Sequence, residues 1–138
     1  MTITTTTHLN FRGDARAALQ FYHSVFGGEI MLATHSQAYP SFAPDEAELV
    51  AFGQVVSPEG FRIMAFDVPA SRPFAAGENS FFVSARGTDP HQLTAYWTKL
   101  AEGAAILQPL APSGWSPLYG MLKDRFGVTW VLDVEVAY

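Results

Sequence analysis

One stretch of this sequence comes round twice, and that repetition narrows the folds open to it more than any other feature. Asp14–Gly28 reads as a helix running from a capping aspartate to a glycine stop, and Asp89–Gly103 is its counterpart. Asp14 matches Asp89, the aromatic pair Phe21 and Tyr22 matches Tyr96 and Trp97, and Gly28 matches Gly103. In the first copy Asp14 is the N-cap, and Ala18, Phe21, Tyr22 and Val25 recur at the spacing of a buried helical stripe. In the second, Asp89 caps and Pro90 takes the first helical position, where its missing N–H is no loss. Leu93, Tyr96, Trp97 and Leu100 form its apolar stripe.

The segments around the two helices also follow one order. Thr2–Phe11 is rich in β-branched residues and reads as a strand, with Arg12 and Gly13 turning into the first helix. Gly27 and Gly28 end that helix, and Glu29–Thr34 is the next strand. Ser36–Glu48, with Pro40 and Pro44 and the acidic Asp45, Glu46 and Glu48, reads as a long loop. Leu49–Val56 and Phe61–Val68 then form a hairpin about Ser57–Gly60, and Pro69–Gly77 connects the halves. In the second half Asn79–Ala85 is a strand, Asp89–Glu102 a helix and Ala104–Gln108 a short strand. Pro109–Pro117 is a loop holding Trp115, and Leu118–Lys123 pairs with Val128–Val134 about Asp124–Gly127. Each half is therefore β-α-β-β-β, giving an α+β domain over 1–138 with modules at about 3–68 and 78–136. One helix covers only one face of such a sheet, so the other face needs a cover. The expectation is that the two sheets lie side by side and curve into a half-barrel cleft.

Charge and composition exclude several function classes. A net charge of −5 with no basic patch argues against nucleic acid as a partner. No apolar run is long enough to span a membrane, and the opening Met1–Thr7 has neither the basic start nor the apolar core of a secretion signal. These features set the expectation of a cytoplasmic protein. The absence of cysteine removes disulfides, thiolate ligands and thiol nucleophiles. A content of 49% hydrophobic against 15% charged residues is high for a small domain, and points to a pocket and a homodimer interface.

The runs Leu9-Asn-Phe-Arg-Gly-Asp-Ala-Arg-Ala-Ala-Leu-Gln-Phe-Tyr-His-Ser-Val-Phe-Gly-Gly28 and Tyr119-Gly-Met-Leu-Lys-Asp-Arg-Phe-Gly-Val-Thr-Trp130 resemble the vicinal-oxygen-chelate superfamily, the glyoxalase, bleomycin resistance and dioxygenase group, and within it the PhnB-like branch. The resemblance implies a cleft in which, in the metal-dependent members, His, Gln or Glu ligands on the first and last strands of each half hold a divalent ion. On that pattern His8 and Glu78 are the candidate metal ligands. Counting back from the helix puts the first slot at Thr7, one residue away, and neighbours on a strand face opposite ways. The hairpin-strand slots fall at Met64 and Val131, with Asp67 and Asp133 displaced towards the strand ends.

The aromatic residues of strands and loops supply the candidate ligand-binding set: Phe52, Trp115, Tyr119 and Trp130, with Arg62 as a counter-charge for an acidic group. Two readings follow. One is a small-molecule-binding protein without a catalytic metal, favoured by the missing carboxylates. The other is a metal-dependent lyase, isomerase or dioxygenase acting on a small oxygenated substrate. No Gly-x-Ser-x-Gly elbow or phosphate-binding glycine loop offers a third.

Overall fold

A computed structural model describes residues 2–136; Met1, Ala137 and Tyr138 of the expected domain 1–138 lie outside the described residues. The chain divides into two compact units, Met1–Ala76 and Gly77–Tyr138. Unit 1 contains β1 (Thr7–Phe11), α1 (Ala15–Phe26), β2 (Glu29–Thr34), the short α2 (His35–Ala38), a 3₁₀ turn (Pro44–Glu46), β3 (Val50–Val56) and β4 (Arg62–Asp67). Unit 2 contains β5 (Val83–Gly87), α3 (Pro90–Leu100), β6 (Ala105–Ala111), β7 (Tyr119–Lys123) and β8 (Thr129–Val134).

Both units build the same mixed sheet, in the orders β1-β4-β3-β2 and β5-β8-β7-β6. The first strand takes one edge, the helix carries the chain to the other edge, and antiparallel pairings return it until the last strand lies parallel to the first. The expected half-barrel is corrected by this topology. Each sheet is open, with two free edges, and no strand ladder joins one sheet to the other among the described residues. Four strands are too few to close on themselves, so neither sheet is closed or strongly curled.

Local differences from the sequence reading have physical causes. The expected loop 36–48 contains α2, because Thr34 and Gln37 form a reciprocal capping box. The segment is then tied back by His35 N–H donating to the Leu49 carbonyl at 2.9 Å. Strand β6 runs on to Ala111 through Pro109, which an edge strand tolerates. Asp89 caps α3 as expected, accepting from His91 N–H at 2.9 Å. Asp14 makes no capping bond with its side chain.

The carboxylate that serves α1 comes from β4 instead. Asp67, 1% exposed, accepts from Gly13 N–H at 2.7 Å and Ala15 N–H at 3.1 Å with one oxygen, and from Val50 N–H at 2.9 Å with the other. Asp133 is not its equivalent. In β8 the residue at the matching register is Val134, since Phe11 pairs with Asp67 and Gly87 with Val134. Asp133 lies on the opposite face, where Arg86 Nε donates to its Oδ1 at 3.0 Å.

In both units a glycine of the sheet lies directly under a helix side chain. A Cβ on Gly53 of β3 would collide with Leu19 of α1, and one on Gly120 of β7 would stand 2.8 Å from the Trp97 ring of α3. The hairpin turns match as well. Ser57 and Asp124, both buried, donate their backbone N–H to the carbonyls of Phe61 and Val128, and their side-chain oxygens accept from the N–H groups of those same two residues. Gly60 and Gly127 carry the positive φ angles of 98° and 86° that these turns require.

On leaving β4 the chain stays attached to unit 1. The Arg12 guanidinium donates to the carbonyls of Val68, Pro69 and Arg72 and lies 5.5 Å from the Phe74 ring centroid. Glu46 Oε2 accepts from Ala70 N–H at 2.8 Å.

Three substitutions test this account. Asp67→Ala strands three backbone donors and lowers unfolding free energy by about 3–5 kcal/mol in urea titration. Asp133→Asn, whose partner Arg86 is 36% exposed, costs about 1 kcal/mol or less. Gly120→Ala forces the Trp97 ring to move and costs about 1–3 kcal/mol, read as a lowered Tm.

Candidate functional site

Strand alternation decides which residues of unit 1 are available to a ligand. Leu9, Phe11, Val55, Ile63, Ala65 and Asp67 are buried, and α1 packs across β2, β3 and β4 on that side. Their neighbours in sequence face away from α1. On this free face His8 pairs in register with Met64, Met64 with Gln54, and Gln54 with Met31. The adjoining positions are Asn10 beside Phe66, and Phe52 beside Ala33. Met31 is 55% and Phe52 37% exposed. His8 is exposed and held twice, with Nδ1 3.1 Å from Asn10 Oδ1 and its ring edge-on to Phe66 at 5.1 Å. Arg62 stands at the end of the same face, opposite Val56.

The face of unit 2 turned from α3 is more polar. Ser84 pairs with Val131 and Val131 with Met121, while Arg86 pairs with Asp133 and Asp133 with Tyr119. Arg86 has its charge met by Asp133 at 3.0 Å and by Glu135 at 3.9 Å. Trp115, 55% exposed, is edge-on to Tyr119 at 5.0 Å. Its loop is anchored by Ser116, whose hydroxyl reaches the carbonyls of Leu118 and Val134 at 2.7 and 2.8 Å. Ser113 Oγ also accepts from Ser116 N–H at 3.1 Å. Trp130 has a different place from the one expected. It is fully buried, and its Nε1–H donates to Asp124 Oδ2 at 2.9 Å, so it belongs to the core of unit 2.

The structure therefore brings Phe52 and Arg62 to one face of unit 1, and Trp115 against Tyr119 in unit 2. The model of the Glyoxalase/Bleomycin resistance protein/Dioxygenase superfamily matches residues 6–132. The chain belongs to that superfamily. It is similar to protein YjdN of Escherichia coli (strain K12), 24% identical over 135 residues and covering 92% of each chain. Among solved structures it resembles protein PA1353 from Pseudomonas aeruginosa, at TM-score 0.86 and 27% identity over 97% of this chain and 98% of that one. It also resembles the PhnB protein of Bacillus cereus, named a putative 3-demethylubiquinone-9 3-methyltransferase, at TM-score 0.76 and 26% identity over 96% and 100%. PhnB-like relatives are thus among its structural neighbours, as the two sequence runs led us to expect. The chain has the small-molecule-binding fold of the superfamily.

Metal-dependent members of the superfamily raise the question of a divalent ion, and strand register places this chain's candidate donors. The residue facing away from α1 on β1 is His8, not Thr7, and its partner on β4 is Met64. The matching positions of unit 2 are Ser84 and Val131. Glu78 falls in a bend before β5 and is exposed, in a different unit from His8. In unit 1 an imidazole beside a thioether, and in unit 2 a hydroxyl beside a hydrocarbon, are each a poor match to the oxygen and nitrogen ligands of a borderline or hard divalent ion. Among the described residues no group of three or more His, Asp or Glu is placed to hold one. Asp67 is committed to backbone donors and Asp133 to Arg86, so neither restores the set.

Sequence reasoning missed Ser84, Met31 and Gln54 as residues of the free faces. Their signal was the alternation of β2, β3 and β5 once the buried partners are known. The contrasting exposure of Trp115 and Trp130 is directly measurable: Trp115→Phe lowers the acrylamide-quenchable emission, whereas Trp130→Phe leaves it in place.

Proposed function

We propose that this protein binds a small organic molecule on a sheet face turned away from the helix, without a catalytic metal. The observation that carries the reading is the free face of unit 1, where Met31, Phe52, Met64 and Phe66 surround few polar groups. Thioether and aromatic side chains adapt to flat apolar shapes, and the few polar groups set orientation. Phe52 and Arg62 belong to this face, while Trp115 and Tyr119 form a separate aromatic pair within unit 2. Trp130 has no direct part, being sealed in the core.

The reading includes a homodimer. The edge strand β6 leaves Ile106 and Leu107 46% and 50% exposed, and an apolar edge of this kind is normally covered. The reading also includes a cytoplasmic location; among the described residues no helix is long and apolar enough to cross a membrane.

The test uses the full chain purified without chelator. Elemental analysis is expected to find well under one metal per chain, and 2-methoxynaphthalene is expected to bind with an affinity unchanged by EDTA. Phe52→Ala should weaken that binding by about tenfold, on the order of 1.4 kcal/mol. Stoichiometric metal, lost on His8→Ala or Glu78→Gln, would overturn the proposal and establish the metal-dependent enzyme in its place.

A further inference from the structure

We infer that His8 selects the ligand, taking molecules that carry an acidic O–H or N–H at one end of a flat apolar body. This rests on the binding reading above and gives that site a ligand class. The argument starts from the bond between His8 Nδ1 and Asn10 Oδ1 at 3.1 Å. An amide oxygen only accepts, so this contact is a hydrogen bond in the neutral tautomer that carries its proton on Nδ1. Nε2 is then left with a bare lone pair, and the edge contact with Phe66 at 5.1 Å limits how the ring can turn. His8 is exposed, and none of the ion pairs among the described residues involves it. Its lone pair thus remains available to a donor from outside the protein.

What lies beside this acceptor sets the shape of the molecule. Across the strands from His8 come Met64, Gln54 and Met31 in turn. Strands lie about 4.8 Å apart, so His8 and Gln54 are roughly 10 Å apart with an apolar thioether between them. That span matches one or two fused rings. A hydroxyl on such a ring would donate to His8 Nε2, and a polar group at the far end would meet the Gln54 amide, which both donates and accepts. An oxygen without a proton, such as an ether, would place a lone pair against a lone pair at His8. The contrast between a phenol and its methyl ether is therefore what this arrangement discriminates.

The experiment compares 2-naphthol with 2-methoxynaphthalene by calorimetry on the full chain, alongside nitrogen-15 chemical shifts of His8. Naphthol is expected to bind about tenfold more tightly than the ether, and His8 to show the Nδ1–H tautomer. His8→Phe should abolish the preference between the two probes. His8→Gln, which offers an amide oxygen in its place, should restore part of it. Equal binding of both probes by the wild-type chain, or an Nε2–H tautomer, would overturn the assignment and leave the binding face standing. Failure of both probes to bind would remove the binding reading and this inference with it.

Discussion

A single buried carboxylate holds the geometry of unit 1. Asp67 accepts from the turn into α1 and from the start of β3 while itself ending β4, so one side chain joins three places where the chain changes direction. These donors would otherwise be orphans at a helix start and a strand end. Because Asp67 points towards α1, Phe66 and Met64 must point away from it, and the parallel pairing with β1 carries His8 to the same side. The chemistry of the free face is thus set by a residue that never reaches it.

The two halves share a plan and differ in its execution. Glycine lets the helix approach the sheet in both, at Gly53 under Leu19 and at Gly120 under Trp97. Both hairpins turn on a buried polar side chain, a serine in one and an aspartate in the other, and Asp124 extends its role by also binding the Trp130 indole. The helix caps have diverged further, with a local aspartate serving α3 and a distant one serving α1. One face has kept thioethers and phenyl rings, while its counterpart has an arginine held by two carboxylates. Equivalent backbones therefore present chemically unlike surfaces.

Much of the architecture was legible in the residues, because helix stripes and strand runs follow from periodicity alone. Asp89, Pro90 and the matched aromatic pairs marked the second helix, and the β-α-β-β-β succession of each half followed from the repeat. Side-chain facing was harder. Counting from Asp14 placed Thr7 where His8 stands, since a single residue of slippage in the β1–α1 turn reverses a strand. Asp67 and Asp133, both displaced from their slots towards the strand ends, turn out to lie on opposite faces. The curvature assigned to the sheets had no local signature, and the bound indole of Trp130 could not be separated by type from the exposed one of Trp115. Helix α2 was hidden in a proline-bearing stretch because its capping box uses Thr34 and Gln37 for one short turn.

The grip of Arg12 on the departing chain has an evolutionary and mechanical consequence. With the carbonyls as far as Arg72 bonded and Phe74 under the guanidinium, slack before β5 is confined to Ala75–Phe82. Fully stretched, that tether reaches about 25 Å. Any exchange of halves between neighbouring molecules has to be accomplished on this short leash, so lengthening it, or releasing Arg12, is the simplest route by which a descendant of this gene could trade partners.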